Sequence, residues 1–242
     1  MTTSLLLFTV ALLLRMSSAQ VPIPKEPPGF TIGRGSGEAK VQLETYIDLL
    51  CPFSKAAYDG VKALANHYDA EEFRVKAVLF PLPFHQHGFT AAESVFTVTS
   101  ALGDDHFTPW LEVLYENQER YVIVLGFKLT TNPVLLFRFW NKATKDLSAV
   151  QVTNDLKELA KKTFPSLTDE QWERGMTGFG GTEADQDTRI TWKYACTRTV
   201  TGTPQYTLNG VPFEDADSTW KLDDWLKVID TLVKPTKTKE DL

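Results

Sequence analysis

The chain has 242 residues, 43% of them hydrophobic and 12% aromatic, which is enough to bury a core and too apolar for a disordered segment. A formal charge of −6 supplies no basic field, so nucleic acid is not an expected partner. The only cysteines, Cys51 and Cys196, are too few for a disulfide scaffold or a four-thiolate metal site and leave room for one bridge or none.

Residues 5–14 read LLLFTVALLL and are followed by Ser17-Ser18-Ala19, which puts small residues at −3 and −1 of a cut after Ala19. The run is shorter than the ~20 apolar residues that a span requires. Residues 1–19 are therefore expected to be a secretory signal peptide, with no membrane span after cleavage and folding where disulfides are permitted. The chain closes on Lys239-Glu240-Asp241-Leu242, a transposed and hence weak version of the endoplasmic reticulum retrieval signal. Secretion and retention in the lumen both stay open.

Residues 20–37 hold Pro22, Pro24, Pro27, Pro28, Gly29, Gly33, Gly35 and Gly37, a density of breakers that predicts an extended lead-in. Val41, Leu43, Tyr46, Ile47, Leu49 and Leu50 form a β-prone run ending at Cys51-Pro52, as in a strand buried on both faces. Pro52 suits a first helical position, and Ala56, Ala57, Val61, Leu64 and Ala65 keep a helical period over 52–68. Residues 73–80, FRVKAVLF, predict the next strand.

From 86 to 181 helical spacing dominates, over 89–102, 106–121, 132–146, 153–163 and 168–176, the last opened by a capping box at Thr168-Asp169-Glu170-Gln171. Leu135, Leu136, Phe139 and Trp140 read as core of this insertion. A helix is expected over 183–199, with Trp192, Ala195, Cys196 and Thr199 on its buried face. Gly202-Thr203-Pro204 breaks it, QYTL and VPFE flank the hairpin signal Asn209-Gly210, and Leu222, Trp225, Leu226, Ile229, Leu232 and Val233 form the apolar stripe of a closing helix.

Cys51 thus stands at a helix N-terminus, where unpaired N–H groups and the helix dipole stabilise an anion and make a thiol reactive. The bland alternative is a buried, inert cysteine ending a strand. The ordered set of KVQLETYIDLLCPFSKAAY over 40–58, Phe80-Pro81-Leu82-Pro83-Phe84-His85 and Gly202-Thr203-Pro204 resembles the DsbA-like branch of the thioredoxin superfamily along nearly the whole mature chain. The resemblance implies an α/β class chain, a thioredoxin fold whose mixed sheet is flanked by helices and interrupted by an all-α insertion. The thioredoxin-like domain would be discontinuous, residues 38–85 and 183–234, around an insertion at 86–182, with a tail at 235–242.

The same resemblance implies that Cys51 is the exposed nucleophile, that Pro204 is cis and packs against it, and that Thr203, with Pro52 and Phe53, lines a groove for an extended peptide. Ser54 departs from the family, standing where a second cysteine belongs. A serine cannot release a mixed disulfide, though it can donate a hydrogen bond to the Cys51 thiolate. Monothiol exchange on protein thiols, or on glutathione as co-substrate, replaces the default expectation of an oxidase, and no other cofactor is expected. Cys196 is read as core packing beside Trp192, with a resolving role as the alternative. Asp48 is a candidate proton carrier, since Thr45 fills the place six residues before the cysteine where many thioredoxins bury an acid. His85 is a candidate accessory residue in the groove. His85 and His87 lack a third partner, and no metal is expected. Two rival functions stay open: an enzyme similar to the kappa-class glutathione transferases, which share this fold and a serine at the position of Ser54, and a non-catalytic module that binds extended polypeptides.

Overall fold

A computed structural model describes residues 23–118 and 146–234. The expected signal peptide, the start of the lead-in, all but the last residue of the predicted helix over 132–146, the end of the predicted helix over 106–121 and the tail from 235 lie outside the described residues. Among those described, strands β1 (Phe30–Ile32), β2 (Val41–Ile47) and β3 (Phe73–Leu79) come first, with helix α1 (Pro52–Ala65) between β2 and β3. Helices α2 (Gly88–Leu102), α3 (Phe107–Glu116), α4 (Ala149–Thr163), α5 (Asp169–Gly175) and α6 (Glu183–Thr197) follow. Strands β4 (Gln205–Leu208) and β5 (Val211–Phe213) and helix α7 (Leu222–Val233) close the chain.

The five strands run in the order β1-β3-β2-β4-β5. β2 and β3 are parallel, which requires a crossover, and α1 supplies it. The other pairs are antiparallel. Asn209 at φ 50° and Gly210 at φ 81° make the tight turn between β4 and β5 in the primed geometry that suits twisted strands. Both faces of the central strands are covered. Val41, Leu43 and Ile47 join Tyr58, Val61 and Leu64 of α1 in one cluster, and Tyr46, Val78, Phe80 and Leu82 meet Ala195 of α6 in another. α1 approaches the segment before α7 so closely that a Cβ on Gly60 would lie 2.2 Å from the Trp220 carbonyl oxygen. The Thr168–Gln171 capping box forms as expected, and Ser148–Gln151 forms a second one at the start of α4.

Three expectations are corrected. The lead-in is not without structure: Phe30-Thr31-Ile32 pairs with Val75–Ala77 of β3, its ends set by Gly29 and Gly33, both at positive φ. The buried face of α6 is formed by Ala184, Thr188, Thr191 and Ala195, so Cys196 is exposed and Trp192 is 38% exposed, stacked on Phe80. In α7 only Trp225 and Ile229 are fully buried, and Leu232 of the predicted stripe is 47% exposed. No helix among the described residues is long and apolar enough to cross a membrane.

Candidate active site at the start of the first helix

β2 ends at Ile47, and a short turn brings Cys51 to the N-cap of α1 with Pro52 in its first turn. The turn is closed by the Cys51 N–H donating to the Asp48 carbonyl (3.0 Å), and the Cys51 carbonyl accepts the first helical bond from Lys55 N–H (3.1 Å). Chain topology brings a second loop to the same place. The Thr203–Pro204 peptide bond is cis, and the Cys51 thiol donates to the Thr203 carbonyl at 3.3 Å. Pro52, Phe53, Thr203 and Pro204 are all half-buried around a sulfur-bearing residue that is itself 1% exposed. The expected pattern of an exposed Cys51 and a packed Cys196 is therefore reversed. The two cysteines are not bridged to each other, and desolvation pushes the Cys196 thiol above the usual range.

Ser54 sits one turn into α1 and is 1% exposed. Its hydroxyl oxygen accepts the Asp48 backbone N–H at 3.3 Å, and no Ser54–Cys51 hydrogen bond occurs among the described residues. The Ser54 oxygen thus serves as an acceptor that fixes the turn, and the expected donation to the sulfur is not seen. Asp48 bonds to backbone at the turn and beyond it. One oxygen accepts Leu50 N–H at 2.7 Å; the other accepts Leu82 N–H at 2.7 Å and meets His85 Nδ1 at 2.6 Å. His85 therefore does not line an open groove: its side chain is 2% exposed and that of Asp48 0%. The pair ties the turn before α1 to the loop after β3. Replacing Asp48 with alanine (Asp48→Ala) removes the carboxylate that the buried Leu82 N–H, the part-buried Leu50 N–H and His85 Nδ1 share, and is expected to cost about 3–5 kcal/mol, read as a fall in the urea midpoint.

Two further residues at this site carry no signal in the sequence. Gln118, just past α3 and 3% exposed, donates from Nε2 to the Leu49 carbonyl (2.8 Å) and the Cys51 carbonyl (3.1 Å). Tyr115 is 3% exposed, and its buried hydroxyl has no hydrogen-bond partner among the described residues. Burial, then the nearby Cys51 and Asp48, holds that phenol well above its ordinary range. Among the described residues no group of three or more His, Cys, Asp and Glu side chains could hold a metal ion. His85 and His87 fall in the turns after β3 rather than on a continued strand.

No family profile and no curated protein matches the chain. Solved structures do. A candidate protein-disulfide isomerase from Pseudomonas syringae superposes with a TM-score of 0.59 at 15% identity, over 83% of this chain and 97% of the other. α-DsbA1 from Wolbachia pipientis gives 0.54 at 14% identity, covering 88% and 93%. A periplasmic thioredoxin-like protein from Salmonella enterica serovar Typhimurium gives 0.51 at 17% identity, covering 87% and 93%. At these identities the likeness speaks to fold, and it agrees with the strand order and the helices inserted between β3 and β4. The chain carries the thioredoxin fold with a helical insertion, in the form found in DsbA-like proteins.

Proposed function

We propose that Cys51 performs monothiol thiol–disulfide exchange on protein or glutathione thiols in the secretory pathway, as a reductase, isomerase or deglutathionylating enzyme. In this reading residues 38–85 and 183–234 form the exchange unit and 86–182 the insertion beside it. The observation that carries it is the meeting of an N-cap cysteine with the carbonyl that precedes a cis-proline, from positions far apart in the chain. The Cys51 thiolate attacks one sulfur of a disulfide. A Cys51–S bond forms as the old S–S bond breaks, and the displaced sulfur leaves as a thiolate that takes up a proton. Ser54 has no sulfur to attack the mixed disulfide, so an external thiol, from glutathione or from the client, completes the exchange and restores Cys51.

Extracytoplasmic action is supported by the apolar N-terminal run and by the periplasmic assignment of the Salmonella protein. The test is incubation of the full chain with oxidised glutathione, followed by peptide-resolved mass spectrometry. A glutathione adduct on Cys51 that reduced glutathione removes, and that Cys51→Ala abolishes, is the expected result. Modification confined to Cys196 overturns the proposal. The 1% exposure of Cys51 favours one rival, a module that holds extended chains beside Pro204 without covalent chemistry. Peptide capture at undiminished affinity by Cys51→Ala, with no adduct in the native chain, selects that rival.

A further inference from the structure

We infer that Gln118 is a positioning residue for Cys51, through which the helical insertion sets the reactivity of the sulfur; the inference rests on the exchange reading above. Both hydrogens of one buried amide are committed to the turn that carries the nucleophile, at 2.8 Å to Leu49 O and 3.1 Å to Cys51 O. The two carbonyls belong to the turn that decides where the sulfur points. The Cys51 carbonyl also accepts Lys55 N–H, so a second donor on it polarises the peptide at the head of α1 and adds a positive dipole end close to the sulfur. Among the described residues no other side chain donates to either oxygen, so loss of the amide removes the side-chain partner of both. Gln118 does not touch the sulfur, whose own hydrogen bond goes to Thr203. It acts by holding the frame.

Two substitutions separate this role from packing. Gln118→Met keeps the length of the side chain and removes both donors. Gln118→Glu keeps the shape and turns a charged acceptor toward two carbonyl oxygens. The ionisable groups around the turn, Asp48 with His85 and Tyr115 from α3, are unchanged in both. The rate of Cys51 alkylation by iodoacetamide is followed against pH by peptide-resolved mass spectrometry, together with circular dichroism and thermal melting. Displacement of the Cys51 profile to higher pH, with a rate at neutral pH about tenfold below that of the native chain and more in Gln118→Glu, is the expected result. A profile that superimposes on the native one in a folded variant overturns the inference, whatever happens to the melting temperature. Loss of the fold in both variants also overturns it, because the amide is then a structural clamp only. The comparison stays informative if Cys51 takes no glutathione: alkylation reads the state of the sulfur, and the glutathione adduct reads the proposed exchange.

Discussion

Substitution of Ser54 by cysteine (Ser54→Cys) is expected to change the kind of reaction and not merely its rate. In the native chain a disulfide that reacts with Cys51 should leave a mixed disulfide that persists until an outside thiol arrives, because Ser54 has no sulfur to resolve it and Cys196 lies on the exposed face of α6. Ser54 is the residue one helical turn on, 1% exposed, with its hydroxyl under the same turn as the sulfur. A thiol at that place would attack Cys51 Sγ, expel the bound thiol and leave a disulfide within the chain, so the substrate disulfide is fully reduced while two cysteines are oxidised. Intramolecular attack also gains the effective concentration that separate thiols lack. The oxidised variant should then pass its disulfide to a reduced peptide dithiol, at a rate on the order of a hundredfold above the native chain. Peptide oxidation followed by chromatography, with mass spectrometry of the protein at each step, reads both effects. Accumulation of an unresolved mixed disulfide in Ser54→Cys would show that the turn cannot bring the two sulfurs together.

Much of this site was legible because its parts are locally encoded. The run from Val41 to Ile47, Pro52 behind Cys51, the helical period to Ala65 and the Asn209-Gly210 turn each declare an element without help from the rest of the chain. The order of those elements, with Thr203-Pro204 before the hairpin, then pointed to the fold. What could not be read is what depends on contact at a distance. β1 is three residues between two glycines and acquires meaning only when Phe30 finds Ala77. α6 misled because its buried stripe is alanine and threonine: Thr188 and Thr191 pack inward while the larger Trp192 lies across Phe80 at the edge. Side-chain size was the wrong guide there.

The same distinction runs through the site. Asp48 and His85 could each be named from their places beside the cysteine and after β3, but their pairing joins segments that only the sheet brings together. Ser54 was recognised as the missing thiol, yet its hydroxyl serves the Asp48 N–H, because Asp48 begins the turn that Ser54 sits beneath. Gln118 shows the limit most clearly. A glutamine near the end of a helix has no pattern to announce it, and its two bonds exist only because the insertion packs against the head of α1.

Stability should respond to pH through a buried acid away from this site. Glu93 of α2 is 8% exposed and faces α6, where Arg189 Nε already binds both carboxylate oxygens of Asp185 at 3.0 Å. Burial, reinforced by the charge of Asp185 and only partly opposed by Arg189, pushes the Glu93 carboxyl up to about 7. In the unfolded chain it titrates in the ordinary range, near 4.5. Between these values the folded protein keeps a proton that the unfolded chain has released. The contribution of this group is therefore complete at acid pH, declines as pH rises from about 4.5 and is lost once pH has passed the folded value near 7. At about 1.4 kcal/mol per pH unit the full loss is on the order of 3 kcal/mol. Glu93→Gln keeps the shape and removes the ionisation. It should raise stability at pH 8 by roughly 2–3 kcal/mol, leave it nearly unchanged at pH 4.5 and flatten the curve between them. Urea midpoints at several pH values test this. Parallel curves for the native chain and the variant would place the titrating group elsewhere.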